Sequence, residues 1–164
     1  MSVTQTNFLQ GSGFRIVINR ERFANLEYFV QTVNHPSVDV PEAAGSFRHL
    51  SQLQQIGDKL EFAPVTFTIM LDEEMAAYTE MYTWMKNIVE QNYTSTTNAN
   101  TESLSSEHDI SLLIMNSSNV LQKTIVYKNA FPVSLGEISM ESTASDITII
   151  TVPVTFRYTY FELL

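Results

Sequence analysis

Between Ala63 and Leu71 apolar side chains recur at every second position: Ala63, Val65, Phe67, Ile69 and Leu71 share one side of an extended chain, with Pro64, Thr66, Thr68 and Met70 on the other. A period of two is the signature of a strand buried on one face. At Asp72 the spacing changes to threes and fours, so that Met75, Tyr78, Met81, Tyr82, Met85 and Ile88 fall on one helical stripe. Asp72 is a suitable N-cap, and Glu73 and Glu74 set negative charge at the positive end of the helix dipole. The pattern predicts a strand that runs directly into an amphipathic helix over residues 72–90.

The same reading extends to both sides. Phe14, Ile16 and Ile18 alternate with Arg15, Val17 and Asn19, which predicts a first strand. Phe23 to Val33 is rich in aromatic and β-branched residues without clean alternation; after a turn over Asn19–Arg22 it predicts a second strand, paired with the first as a hairpin. Residues 34–58 hold Pro36, Pro41, Gly45 and Gly57, no sustained period, and scattered apolar residues at Val38, Val40, Phe47, Leu50, Leu53 and Ile56. A connection of this length without regular structure is uncommon, and a plain linker has no use for those side chains. They are able to pack on their own domain or on another subunit.

Residues 91–109 are dominated by Ser, Thr, Asn and acids and predict a solvated polar loop. Ile110–Met115 and Val120–Lys128, separated by Asn-Ser-Ser-Asn, predict a hairpin. Asn129–Glu137 follows, punctuated by Pro132 and Gly136. In the last segment Ile150, Val152, Val154, Phe156, Tyr158 and Tyr160 share one face of a strand, and Pro153 marks an edge, a bulge or a strand shared between two sheets. Together the elements predict a mainly β (α+β) fold, a two-sheet β-sandwich or partly closed β-barrel of about six or seven strands with one flanking α-helix. The expected organisation is a flexible N-terminal arm over residues 1–13 and a single domain over 14–164.

Composition narrows the function classes. The 164 residues, 44% of them hydrophobic, suit one domain that buries roughly 70% of its unfolded surface. Eighteen acidic against nine basic residues give a formal charge of −9, which disfavours a protein that grips nucleic acid through its phosphates. With no cysteine there is no disulfide framework and no thiolate metal site. Residues 1–13 lack the basic and apolar regions of a secretory signal, and no apolar run reaches the ~18 residues of a membrane span, so synthesis in a cytoplasm is expected.

Candidate chemistry is sparse. His35, His49 and His108 are far apart, and Glu107-His108-Asp109 sits in the polar loop, where a solvated charge run is the simpler reading than a metal cluster. Asp72, Glu73 and Glu74 read as helix-start chemistry rather than as an acid–base pair, and they would repel a phosphate at that helix N-terminus. No nucleophile elbow is present. The sequence therefore predicts no enzyme, no metal and no cofactor. Trp84 neighbours the helical stripe and is assigned to its rim or to a contact with another chain.

Three segments together resemble the tail-tube proteins of contractile-tailed bacteriophages. The strand followed by Asp72-Glu73 and then Trp84 resembles that family's strand and helix; Ala130-Phe131-Pro132-Val133-Ser134-Leu135-Gly136-Glu137-Ile138 is similar to its aromatic-Pro-x-x-x-Gly-Glu segment; and Val154-Thr155-Phe156-Arg157-Tyr158 resembles its closing strand. The resemblance covers residues 14–33 and 59–161, while the Thr94–Ser106 loop and the N-terminal arm have no clear counterpart. It implies a structural virion protein: homo-hexameric rings that stack into a tube inside a contractile sheath, meet baseplate and tail-terminator proteins, and pass double-stranded DNA without specific binding. Residues 34–58 would be the long loop that reaches an adjacent ring, and the subunit-contact candidates are Phe47, Leu50, Leu53, Ile56, Trp84, Phe131 and Pro132. Other readings are a tube initiator or tail terminator of the same fold, the inner tube of a phage-like injection particle, and a monomeric β-sandwich that binds a ligand on Trp84 and the tyrosines.

Overall fold

The computed structural model describes residues 8–18, 23–47, 51–93, 107–142 and 149–164, and for residues 24, 28, 43–47, 51–55 and 91–93 the backbone alone. Residues 1–7 of the arm expected over 1–13, the turn over 19–22, Leu50 and most of the polar loop, 94–106, lie outside the described residues.

In chain order the elements are β1 (Phe14–Val17), α1 (Ala24–Phe29), β2 (Val30–Asn34), β3 (Val38–Asp39), β4 (Ala43–Phe47), β5 (Ser51–Gln55), β6 (Glu61–Phe62), β7 (Val65–Met70), α2 (Ala76–Tyr93), β8 (His108–Met115), β9 (Leu121–Leu135), β10 (Thr151–Arg157) and β11 (Tyr160–Leu163). Seven strands form one antiparallel sheet in the order β1-β8-β9-β10-β7-β2, with β11 also on β9; β3-β6 and β4-β5 are separate two-stranded ribbons. This is the mainly β fold with one principal helix that the pattern predicts. It is open rather than closed, because among the described residues β1 and β2 each pair on one side alone.

The sheet has two halves because β9 passes through both. Its residues Leu121–Ala130 pair with β8, and Phe131–Leu135 pair with β10. On the β10 side of β9 the partner strand is nearly continuous, since Tyr160–Leu163 take up Lys128–Ile125 where β10 leaves off at Phe131. The bend sits at Asn129, whose φ of 53° puts it in the left-handed region that asparagine tolerates. Lys128 and Asn129 stand opposite Asp109 alone, a β-bulge. Asp109 holds it: Oδ1 accepts from the Asn129 N–H at 3.1 Å and Oδ2 from Lys128 Nζ at 2.7 Å.

One core fills the space between the halves. Val65, Phe67 and Ile69 of β7, Val152, Val154 and Phe156 of β10, and Ile110, Ile125 and Tyr127 from the other half form one buried cluster with Leu26, Ala77, Met81 and Trp84. Each aliphatic or aromatic side chain buried this way stabilises by about 1.5–3 kcal/mol. The alternation read in β7 is therefore the core pattern itself.

Several expectations change. Phe23–Val33 is not a strand paired with the first: Ala24–Phe29 is helical, Val30–Asn34 pairs with β7, and β1 pairs with β8. The helical turn wins because it buries Leu26 and because Glu80 accepts hydrogen bonds from the Leu26 N–H at 3.1 Å and from Asn25 Nδ2 at 2.7 Å. Helix α2 begins four residues later than predicted: Asp72 Oδ1 accepts from the Ala76 N–H at 2.9 Å, and Glu73 and Glu74 lie in the exposed turn before the helix. Its buried stripe is Ala77, Met81 and Trp84, while Tyr82 faces out, so the predicted stripe is rotated by one position. Asn129–Glu137 continues β9 through Pro132 to Leu135. Pro153 lies on an inner strand, β10, at the end of the ladder, where its carbonyl accepts from the Gly136 N–H at 2.8 Å. Gly136 is required there, because a Cβ would come within 2.6 Å of the Pro153 ring. The irregular 34–58 segment holds the β4–β5 hairpin and part of the β3–β6 ribbon.

Candidate functional site

Among the described residues, the buried aromatic groups pack against one another in two clusters. Trp84 stacks on Phe23 with ring centroids 4.4 Å apart and lies 5.3 Å from the His108 ring and 5.7 Å from Phe156. At 4% exposure it is a core residue, which corrects its assignment to a rim or subunit contact. His108 is thus one wall of an aromatic stack. Among the described residues no group of three His, Asp or Glu side chains is placed to hold a metal.

A second aromatic cluster closes the corner where the two halves meet. Tyr127, Tyr158, Phe161 and Phe62 contact one another, and His35 packs edge-on against Phe161 with centroids 5.1 Å apart. His35 Nδ1 and the Tyr127 hydroxyl share a 2.8 Å hydrogen bond, and the Tyr158 hydroxyl donates to the Ala63 carbonyl at 2.9 Å. Burial pushes both tyrosine hydroxyls above their ordinary range and pushes the His35 imidazole below its ordinary value. The phenols remain neutral and fasten the corner through packing and these hydrogen bonds. Burial pushes the Asp109 carboxyl up, but its hydrogen bonds from Lys128 and the Asn129 N–H outweigh that and hold it below the usual range.

What remains available to other molecules is backbone edge and exposed apolar surface. β1 and β2, the outermost strands, each leave one edge without a strand partner among the described residues. Such edges are templates for pairing with another chain. The β4–β5 hairpin pairs Ala43–Phe47 with Gln55–Ser51 as a ribbon of its own. Its base is closed where Gly57 meets Pro41 so tightly that a Cβ would lie 1.9 Å from the Pro41 carbonyl oxygen.

Of the candidates read from the sequence, Ile56 is 93% exposed beside the hairpin base, and Phe131 is exposed on β9 while its neighbour Pro132 is buried. Phe47 and Leu53 lie on β4 and β5, where the backbone alone is described. Reasoning from sequence missed the free edge of β2, because the segment was assigned to a hairpin with β1; the signal available was the helix-compatible run Ala24-Asn25-Leu26-Glu27 before Val30.

Comparison with known proteins gives a consistent picture. The family model described as "Phage tail tube protein" matches residues 3–163. No curated protein sequence matches the chain. Among solved structures, it is similar to the tube-terminating cap of the anti-feeding prophage, with a TM-score of 0.68 and 14% identity over 100% of this chain and 95% of that one. A sheath/tube terminator of the extracellular contractile injection system PVC, in its extended state, gives 0.62 and 15% over 99% of both chains. Hcp1 from Flavobacterium johnsoniae gives 0.54 and 13% over 95% of this chain and 94% of that one. At these identities the structural likenesses establish the fold.

Proposed function

Because the chain belongs to the phage tail tube protein family, matched over residues 3–163, we propose that it is the repeating subunit of a tail tube. Six copies close a ring, rings stack inside a contractile sheath, and the bore conducts the genome during delivery into the host. The domain over residues 14–164 forms the ring wall, with the N-terminal arm and the 34–58 segment reaching from it towards the adjacent ring. The observation that carries this reading is the family match across almost the whole chain.

The architecture supports it. Antiparallel sheets extend by adding strands at open edges, and a protomer with outer strands β1 and β2 presents one at each side. Pairing β1 of one copy with β2 of the next is a heterologous contact, and a rotation that closes it makes a ring. A hairpin that forms its own ribbon is available to a neighbour. The formal charge of −9 suits a conduit, since each Lys or Arg touching a phosphate would add a salt-sensitive contact to be broken during passage.

A second reading, a cap that terminates the tube, is favoured by the likeness to the anti-feeding prophage cap over the full chain. The partners then include the tube as well as the sheath, and the ring does not stack on itself. Electron microscopy of the purified protein separates the two. Stacked six-fold rings fit the tube subunit, single rings that never stack fit the cap, and monomers at high concentration overturn both.

A further inference from the structure

We infer that the excursion over residues 36–62 is fastened to the sheet by a two-point latch, one point of which, the His35–Tyr127 hydrogen bond, opens when the imidazole takes up a proton, while the other, Tyr158 on the Ala63 carbonyl, does not respond. The latch lies within a single copy and works whether or not rings form. β3, β4, β5 and β6 all belong to this excursion, and none of them pairs with the seven-stranded sheet. It leaves and returns at one place. The Ala63 N–H donates to the Ser37 carbonyl at 3.2 Å, Val38 pairs with Phe62, and Asp39 pairs with Glu61, so two legs run side by side from a common root.

One corner of the sheet grips both legs of that root. His35 holds the outgoing leg: its Nδ1 shares a 2.8 Å hydrogen bond with the Tyr127 hydroxyl of β9, and its ring packs against Phe161 of β11. The Tyr158 hydroxyl holds the returning leg through the Ala63 carbonyl at 2.9 Å, with Phe62 packed on Tyr158 and Phe161. Both points are hydrogen bonds from a phenol, but their acceptors differ. A carbonyl oxygen accepts at every ordinary pH. An imidazole nitrogen accepts only while the ring is neutral.

Tyr127 is completely buried, and among the described residues Nδ1 of His35 is the acceptor its hydroxyl meets. Protonation places a hydrogen on Nδ1 and turns the phenol hydrogen towards the rings of Tyr158 and Phe161, where a buried hydroxyl is left unpaired. His35 itself is exposed, so a proton reaches it without unfolding. No charge opposes or assists this step. The groups that face His35 are Tyr127 from β9 and Phe161 from β11; their charged neighbours Lys128 and Glu162 fall on the other face of the sheet, where Lys128 pairs with Asp109. On the legs, Asp39 accepts from Ser37 Oγ at 3.3 Å and Glu61 stands opposite Asp39. Burial is the single cause that lowers the imidazole. At neutral pH both legs are held, and in acid the excursion hangs from the Tyr158 point.

Hydrogen exchange on the full chain, corrected for the intrinsic pH dependence of amide exchange, tests the latch. Between about pH 7.5 and 5.5, exchange in residues 34–39 should rise by about three-fold or more in total and by no more than about ten-fold per pH unit, the limit for one proton. Exchange in β7 and β10 should stay unchanged. His35→Gln, whose amide oxygen accepts from Tyr127 at every pH, should abolish the rise, whereas Tyr158→Phe should speed exchange in residues 61–63 at every pH and keep the rise. By NMR the wild-type imidazole should titrate below 6.5, and Tyr127→Phe should move it up towards that value. Wild-type exchange that stays flat, that rises equally in β7 and β10, or that rises as steeply in His35→Gln overturns the proposal, and so does an imidazole midpoint that Tyr127→Phe leaves unmoved.

Discussion

The segment around Trp84 and the β4–β5 hairpin differ in what their apolar residues serve. Trp84 is enclosed by Phe23, His108 and Phe156 in the core of its own chain. Ile56, by contrast, is almost fully exposed beside a ribbon whose two strands pair with each other alone. One region spends its apolar surface on folding, and the other leaves Ile56 at the surface. The lesson is that a single conspicuous aromatic is a poor marker of a contact, because tryptophan near a helical stripe is equally suited to the stripe itself.

Substitutions can break this comparison, and they are ordered by their effect on stability. Trp84→Ala should cost about 3–5 kcal/mol, the range for truncating a buried aromatic, read as a lower midpoint in denaturant. Any loss of assembly should follow from that unfolding. A variant that keeps wild-type stability but cannot assemble would return Trp84 to the interface. Gly136→Ala forces a Cβ against the Pro153 ring and carbonyl and should cost about 1–3 kcal/mol by overpacking; chemical denaturation measures it. Glu80→Ala removes the acceptor that ties Asn25 and Leu26 to α2, a loss of about 1–2 kcal/mol. Its signature is faster hydrogen exchange in α1 before the sheet opens.

The pH dependence is smaller and has a definite sign. Burial lowers the His35 imidazole from its ordinary 6.5, so below that value the unfolded chain binds the proton first. Stability is then complete above pH 6.5 and falls as pH drops towards the lowered value. Asp109, held below its ordinary 3.8, adds a second loss further into acid. His35→Gln should remove the first step and leave the second, as followed by thermal melts across pH. The smallest effect on stability, and the largest on assembly, belongs to the β4–β5 hairpin. Replacing residues 43–55 with a short Gly-Ser turn should leave the melting temperature within a few degrees while abolishing stacked rings. A collapse of the fold instead would show that the hairpin serves its own core.

Much of the fold was legible because burial imposes a period. Val65, Phe67 and Ile69, and Val152, Val154 and Phe156, are completely buried where alternation places them. The Asn-Ser-Ser-Asn hairpin also stands as read: Asn116 Oδ1 accepts from the Ser118 and Val120 N–H groups at 2.9 and 3.0 Å, and Asn119 supplies the positive φ that a glycine would otherwise provide. The misreadings have local causes. The phase of α2 was lost because Ala77, small and weakly apolar, anchors the buried stripe, while Tyr82 weighs more in any hydrophobicity count but faces water. α1 was missed because its six residues are shorter than a periodic signal, and a side chain 54 positions away, Glu80, stabilises it. The continuity of β9 through Pro132 was hidden because a bulge in β9 itself, where Val133 is the extra residue opposite the Thr155–Phe156 step, accommodates the proline. Which strand edges lie open depends on the topology, which no local pattern carries.

The central claim is that this chain is a ring-forming tube subunit, and native mass spectrometry of the purified protein tests it most directly. The account predicts a dominant species of six chains, each of 18.6 kDa, with higher multiples of six as concentration rises. A single 18.6 kDa species at every concentration would contradict it.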